Sequence, residues 1–250
     1  MFAGDKAMSY KERYYPETRF GGFSDIDGTV AFYARVNALA RPDSVVLDFG
    51  CGRGVGADDA IPFRRQLRQL RGKVGRVVGV DVDESCAANP LIDEFCLITE
   101  GGSLPLRNKS VDICLCDAVL EHLRDPATFF AEIQRVLRPG GYLCIRTSNS
   151  WSYIAVAGRL VPNRYHGQLL ARVQNGRRNT DVFPTFYKCN TIPKIRQMLR
   201  RYGFCGCVYG YSAEPSYAAF SGLIYALLSY YGRESPSFLR DAIFVFAQRT

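Results

Sequence analysis

The sequence predicts an α/β fold built on a largely parallel sheet. Three observations carry this. Short, valine-rich apolar runs recur at 45–49, 77–80 and 111–116, and such runs suit strands buried on both faces. The first ends in an acid, Asp48, and then a loop with glycine at every second position, Gly50, Gly52, Gly54 and Gly56. A helical pattern follows, and the order strand, glycine loop, helix is that of nucleotide-binding α/β folds.

At 250 residues the chain is long enough for a full core, as one large domain or one domain with an appendage. An apolar content of 47% is ordinary for a globular protein. The opening residues, Met1 to Lys6, show no charged-then-apolar signal pattern, so a cytoplasmic rather than secreted protein is expected. Nine cysteines is an odd count, and Cys114 and Cys116 alternate within an apolar run, which reads as reduced, buried thiols. Cys205 and Cys207 have no histidine cluster near them in sequence, so no metal site is expected. A net charge of +8 suggests an anionic partner, although Arg64, Arg65, Arg68 and Arg71 fall at helical spacing and read equally well as one solvated face.

Charge separates the cofactors that compete for such a loop. A dinucleotide fingerprint brings a pyrophosphate to a helix N-terminus, with glycines spaced G-x-G-x-x-G. Here the spacing is G-x-G-x-G, and Asp48 stands two residues ahead of Gly50, where it would repel a pyrophosphate and suit a cation. The stretch VLDFGCGRG at 46–54 resembles the first motif of class I S-adenosylmethionine-dependent methyltransferases. That resemblance implies a Rossmann-like, seven-stranded, mostly parallel sheet with helices on both faces. It also implies a cofactor, S-adenosylmethionine, held by Asp48, Gly50, Cys51, Gly52 and Gly54.

The remaining elements follow in order. Residues 1–44 precede the first strand as an expected lid or cap segment, with a loop at 20–29 and a helix from about Val30 to Leu39. By the resemblance, Arg35 meets the methionine carboxylate and Tyr33 faces the substrate; the plainer alternative is a helix that plugs the sheet end. Pro62 to about Leu70 reads as the first crossover helix. The second strand ends at Asp81, where a carboxylate accepts hydrogen bonds from ribose hydroxyls, with Val82 beside it and Asp83 as a substitute.

A third strand is expected at 96–99, and Glu100 to Leu106 resembles the adenine-binding turn of the ubiquinone-biosynthesis type of methyltransferase. Gly101 stands where that family carries an aspartate, which leaves Ser103, Leu104, backbone groups or Glu100 for the adenine. The fourth strand ends at Asp117, placed to meet the cofactor's ammonium, and the run EHLRDPATFFAEIQRVLRPGGYL at 121–143 resembles the same family. A helix capped by Asp125 runs from Pro126 to Leu137, and a fifth strand from Tyr142 to Thr147.

Residues 149–190 interrupt the helix–strand rhythm with aromatics and arginines, as an insertion covering the substrate would. A helix over 191–202 and a last strand at 242–247 complete the domain of 45–250. The stretch 217–231 is apolar almost all round and too short for a membrane span; it reads as a buried or dimer-forming helix, or else as a peripheral membrane contact.

A sulfonium methyl is already activated, so the protein must mainly align donor and acceptor and exclude water. His122, His166 and Tyr187 are the candidate bases for an oxygen acceptor, and helix-end packing is the plainer reading of His122. The expected acceptor is a small molecule, a sugar or another biosynthetic intermediate. The rivals are an RNA methyltransferase, a non-catalytic S-adenosylmethionine-binding partner protein and a nicotinamide oxidoreductase. No Asn-Pro-Pro-Tyr motif follows the fourth strand and no basic or zinc module accompanies the fold, which speaks against nucleic acid.

Overall fold

A computed structural model describes residues 8–153, 155 and 184–250. Seven strands form one sheet in the order β3-β2-β1-β4-β5-β7-β6. The strands are β1 (Val45–Phe49), β2 (Arg76–Asp81), β3 (Glu94–Leu97), β4 (Val111–Asp117), β5 (Leu137–Ser148), β6 (Phe204–Tyr211) and β7 (Ala242–Arg249). Strands β1 to β5 pair in parallel, while β7 runs antiparallel to both β5 and β6. The carboxyl ends of β1, β2 and β4, and with them Asp48, Asp81 and Asp117, therefore lie on one edge.

Strand periodicity sorts the side chains between two cores. Leu47, Cys114, Cys116, Leu143 and Ile145 face one layer, which contains α4 (Pro126–Val136) and α5 (Ile192–Arg201). Their neighbours Val46, Ile113, Leu115 and Cys144 face the other, packed against Phe32 and Val36 of α2 (Gly28–Leu39). Helices thus cover both faces, as a parallel sheet requires. The helices start where the sequence supplies caps: Asp27 accepts from Thr29 and Val30 N–H (both 2.9 Å), and Asp125 accepts from Ala127 N–H (3.0 Å). All nine cysteines are free thiols.

Several expectations shift. Strand β3 begins two residues earlier than expected, and α3 (Pro62–Arg68) ends sooner. A short α1 (Tyr10–Tyr14) and β6, which the sequence had not delimited, are added. The arginines on and after α3 do not form a plainly solvated face: Arg64 pairs with Asp59 and Asp27, and Arg71 with Asp93. Helix α6 (Gly222–Glu234) is not buried all round. Tyr225 is fully enclosed by Tyr10, Tyr14 and Tyr15, whereas Leu223 and Leu227 on the opposite face are 72% and 59% exposed. Among the described residues no helix is long and apolar enough to cross a membrane.

Candidate active site

The glycine loop after β1 is shaped from both sides. Gly50 and Cys51 N–H donate to Val80 O (2.8 and 3.2 Å), which ties the loop to the end of β2. Gly50 has φ +73°, and a methyl group there would stand 2.4 Å from Val119 Cγ2, so glycine is required twice over. At Gly52 (φ +56°) the same position faces open space, and Asp81 Oδ2 accepts its N–H at 3.0 Å. Gly54 turns against Asn89 and Pro90.

Three carboxylates converge on this loop. Arg146 Nε and Nη2 donate to Asp117 in a bidentate pair (2.6 Å each), and Tyr33 Oη adds a bond to Asp117 Oδ2 (2.9 Å). Burial alone would raise the Asp117 carboxyl, but the Arg146 charge and these hydrogen bonds outweigh it and hold it below the usual range. Burial, followed by the charges of Asp117 and Asp48, pushes the Tyr33 phenol up. The Asp48 carboxylate makes no hydrogen bond or ion pair among the described residues. Burial, together with the charges of Asp117 and Asp81, pushes its carboxyl up to about 7. A half-buried, unneutralised acid beside two others is an environment that a cation would relieve.

The loop and the tips of β2 and β4 enclose a cavity of about 860 Å³, within the range of small-molecule sites. Gly50, Gly52, Asp81, Val82, Leu104 and Asp117 line it, and so does His122. Its far end is formed by the turn at 99–104, where Glu132 Oε2 accepts from Leu104 N–H (2.7 Å) and Arg135 donates to Leu104 O (2.9 Å). At the mouth, Arg124 pairs with Glu100 (3.3 Å) and lies 4.8 Å over the Phe186 ring. Phe186 and Tyr187 are pinned by their N–H groups to Glu121 O (2.8 and 3.2 Å), and Glu121's buried carboxylate accepts from the Thr147 and Ser148 hydroxyls. A carbonyl only accepts, so His122 Nδ1 donates to Pro184 O (3.0 Å) and Nε2 is the basic nitrogen of the neutral ring.

Other expected site residues lie elsewhere. Asp48, Cys51, Ser103 and Tyr187 flank lining residues without lining the cavity, and Gly54 does not line it either. Arg35 does not reach it: its guanidinium lies 6.0 Å over Phe246 of β7 and donates to Ala31 O. The arginines near Tyr33 are Arg146 and Arg68, with both guanidiniums 5.7 Å over its ring. Tyr33 itself bonds Asp117, on a helix that packs into the sheet layer. His166 and most of the 149–190 insertion lie outside the described residues. Among the described residues no cluster of His, Cys, Asp or Glu is arranged to hold a metal ion.

Sequence reading missed Arg146, Asn89 and Arg124, while Phe186 falls among the aromatics of the expected substrate cover. A signal existed for Arg146: it pairs in register with Asp117 on the neighbouring strand, so two adjacent strand ends carry opposite charges.

Residues 47–145 match the methyltransferase-domain family. The chain is 38% identical over 129 residues to a probable S-adenosylmethionine-dependent methyltransferase of Mycolicibacterium smegmatis, covering 48% of this chain and 44% of that protein. It is 30% identical over 106 residues to a ubiquinone biosynthesis O-methyltransferase of Albidiferax ferrireducens, covering 42% and 41%. The chain thus spans less than half the length of these relatives. Among solved structures, geranyl diphosphate C-methyltransferase of Streptomyces coelicolor superposes with TM-score 0.53 at 19% identity over 87% of this chain and 76% of that one. A possible histamine N-methyltransferase of Thermotoga maritima superposes with TM-score 0.54 at 17% identity over 96% and 98%. At these identities the likeness is one of fold.

Proposed function

We propose that this protein, whose residues 47–145 match the methyltransferase-domain family within a seven-stranded sheet of class I topology, is an S-adenosylmethionine-dependent methyltransferase that methylates a small-molecule acceptor, on an oxygen of a sugar or other biosynthetic intermediate. The observation that carries the cofactor part is Asp48: a half-buried carboxylate without a hydrogen bond among the described residues, on the strand that leads into the glycine loop of a cavity lined by Asp81 and Asp117. When bound, the cofactor supplies a methyl on a positively charged sulfur, so transfer to a nucleophile neutralises charge. Asp81, already fixed by Gly52 and Asp83 N–H, retains lone pairs for ribose hydroxyls. The turn at 99–104 receives the adenine, and the aromatic and aliphatic walls exclude water there.

His122 is the proposed base. Its Nδ1 bond to Pro184 holds the tautomer in which Nε2 can take the acceptor's proton, and the ring lines the cavity. Tyr187 is kept as a lesser candidate, because its pinned backbone sets Phe186 at the mouth. An uncharged acceptor suits the lining, where the one arginine among the described residues, Arg124, is already paired with Glu100. The lining carries Asp81, Glu100, Asp117, Asp125 and Glu132, and so many carboxylates around the cavity weigh against an RNA substrate. On this reading the exposed face of α6 is where a second copy or a membrane surface would meet the protein. The test is methyl transfer from labelled S-adenosylmethionine to a panel of hydroxylated small molecules and to RNA. Label on the small molecules alone supports the proposal, and label on RNA alone refutes the acceptor class.

A further inference from the structure

We propose that Asn89, which does not line the cavity, holds the glycine loop in its ligand-binding shape and so sets cofactor affinity as a positioning residue. The proposal rests on reading the cavity as the S-adenosylmethionine site. Asn89 follows the turn after β2 and is only 4% exposed. Its Nδ2 donates to two successive loop carbonyls, Cys51 O (2.9 Å) and Gly52 O (3.1 Å). Its Oδ1 accepts from Leu91 N–H (2.8 Å), and its own N–H donates to Cys86 O (3.0 Å), which anchors the side chain to a rigid turn.

The loop depends on such an anchor. Gly50, Gly52 and Gly54 lie at φ +73°, +56° and +75°, one set among the many conformations open to glycine. Asp81 accepts the Gly52 N–H and Asn89 donates to the Gly52 carbonyl, so one residue that faces the cavity is held on both sides. The fit is also steric: a methyl group on Gly54 would stand 2.3 Å from Asn89 Oδ1 and 2.7 Å from Pro90 Cδ. Without the amide, two carbonyls lose their donor and the loop must be ordered at the expense of binding.

The substitution Asn89→Asp keeps the shape and replaces the donor by an oxygen facing two carbonyl oxygens. Burial and those oxygens raise the new carboxyl, and its protonated form can donate again. Affinity for S-adenosylhomocysteine would be measured by calorimetry from pH 8 to 5.5 for wild type, Asn89→Asp and Asn89→Ala, with unfolding temperatures alongside. At pH 8 both variants are expected to bind about tenfold or more weakly, as loss of two hydrogen bonds implies. As the pH falls, the Asn89→Asp deficit relative to wild type shrinks, whereas the Asn89→Ala deficit stays constant. Lower unfolding temperatures with affinities within about twofold of wild type at pH 8 would assign Asn89 to folding alone and overturn the proposal. Deficits that follow pH identically in both variants would overturn it too. Failure of the wild type to bind would instead remove the cofactor assignment on which it rests.

Discussion

Changing the charge state of Asp48 should change the affinity for a cationic ligand by a calculable amount. Burial and the neighbouring Asp117 and Asp81 push its carboxyl up to about 7. The carboxylate is then about nine-tenths ionised at pH 8 and about one-tenth at pH 6, by simple titration. If the ionised form is the one that attracts the sulfonium and ammonium, affinity for S-adenosylmethionine falls about tenfold between those values. The ligand's own amine titrates near about 7.7–8.0, so the quantity to compare is the affinity ratio of wild type to Asp48→Asn, which lacks the titration. Calorimetry at half-unit pH steps measures it, and the wild-type advantage should grow about tenfold from pH 6 to pH 8. The sign reverses for the ligand-free protein. A carboxyl raised on folding contributes stability that is fully present below its unfolded value near about 3.9 and is lost as the pH rises through about 7. For this group the free protein is therefore more stable at pH 6 than at pH 8, while the complex is tighter at pH 8. An affinity ratio that stays flat across this window would refute a role for the Asp48 charge.

Four further outcomes are expected. Asp81→Ala removes the acceptor for Gly52 and for ribose hydroxyls, and should weaken S-adenosylhomocysteine binding by about 1.5–3 kcal/mol in calorimetry while circular dichroism stays native. Arg146→Ala leaves Asp117 buried without its cation and should cost about 3–5 kcal/mol in urea unfolding; adding Asp117→Asn should recover part of that loss. His122→Gln should lower kcat about 10²-fold or more, once an acceptor is known, and leave S-adenosylhomocysteine affinity unchanged. Gly101→Asp places a carboxylate in open space at the adenine end but at φ +72°, so tighter adenosyl binding should come with about 1–2 kcal/mol less stability by thermal unfolding.

The sequence made legible what depends on local chemistry. The strand tips at Asp48, Asp81 and Asp117 were readable because apolar runs stop at an acid, and parallel strands must bring those ends to one edge. Gly50 was readable because only glycine fits that turn, with Val119 against its α-carbon. Contacts set by tertiary packing were not. Asn89 lies 37 residues beyond Gly52, and nothing local distinguishes it from a turn asparagine. Arg35 was placed by likeness to a family, yet the rotation of α2 about its axis turns Phe32 and Val36 to the sheet and carries Arg35 over Phe246. The apolar run at 217–231 says that a helix forms, but Tyr225 faces the tyrosine cluster and Leu227 faces outward, a division that hydropathy alone does not reveal.

The most direct test of the central claim is titration of the protein with S-adenosylmethionine, S-adenosylhomocysteine and NAD in parallel. Micromolar binding of both adenosyl ligands with no heat from NAD is the expected result. Binding of NAD alone would mean that the loop after β1 and the acids around it serve a pyrophosphate, and would contradict the assignment of Asp48, Asp81 and Asp117.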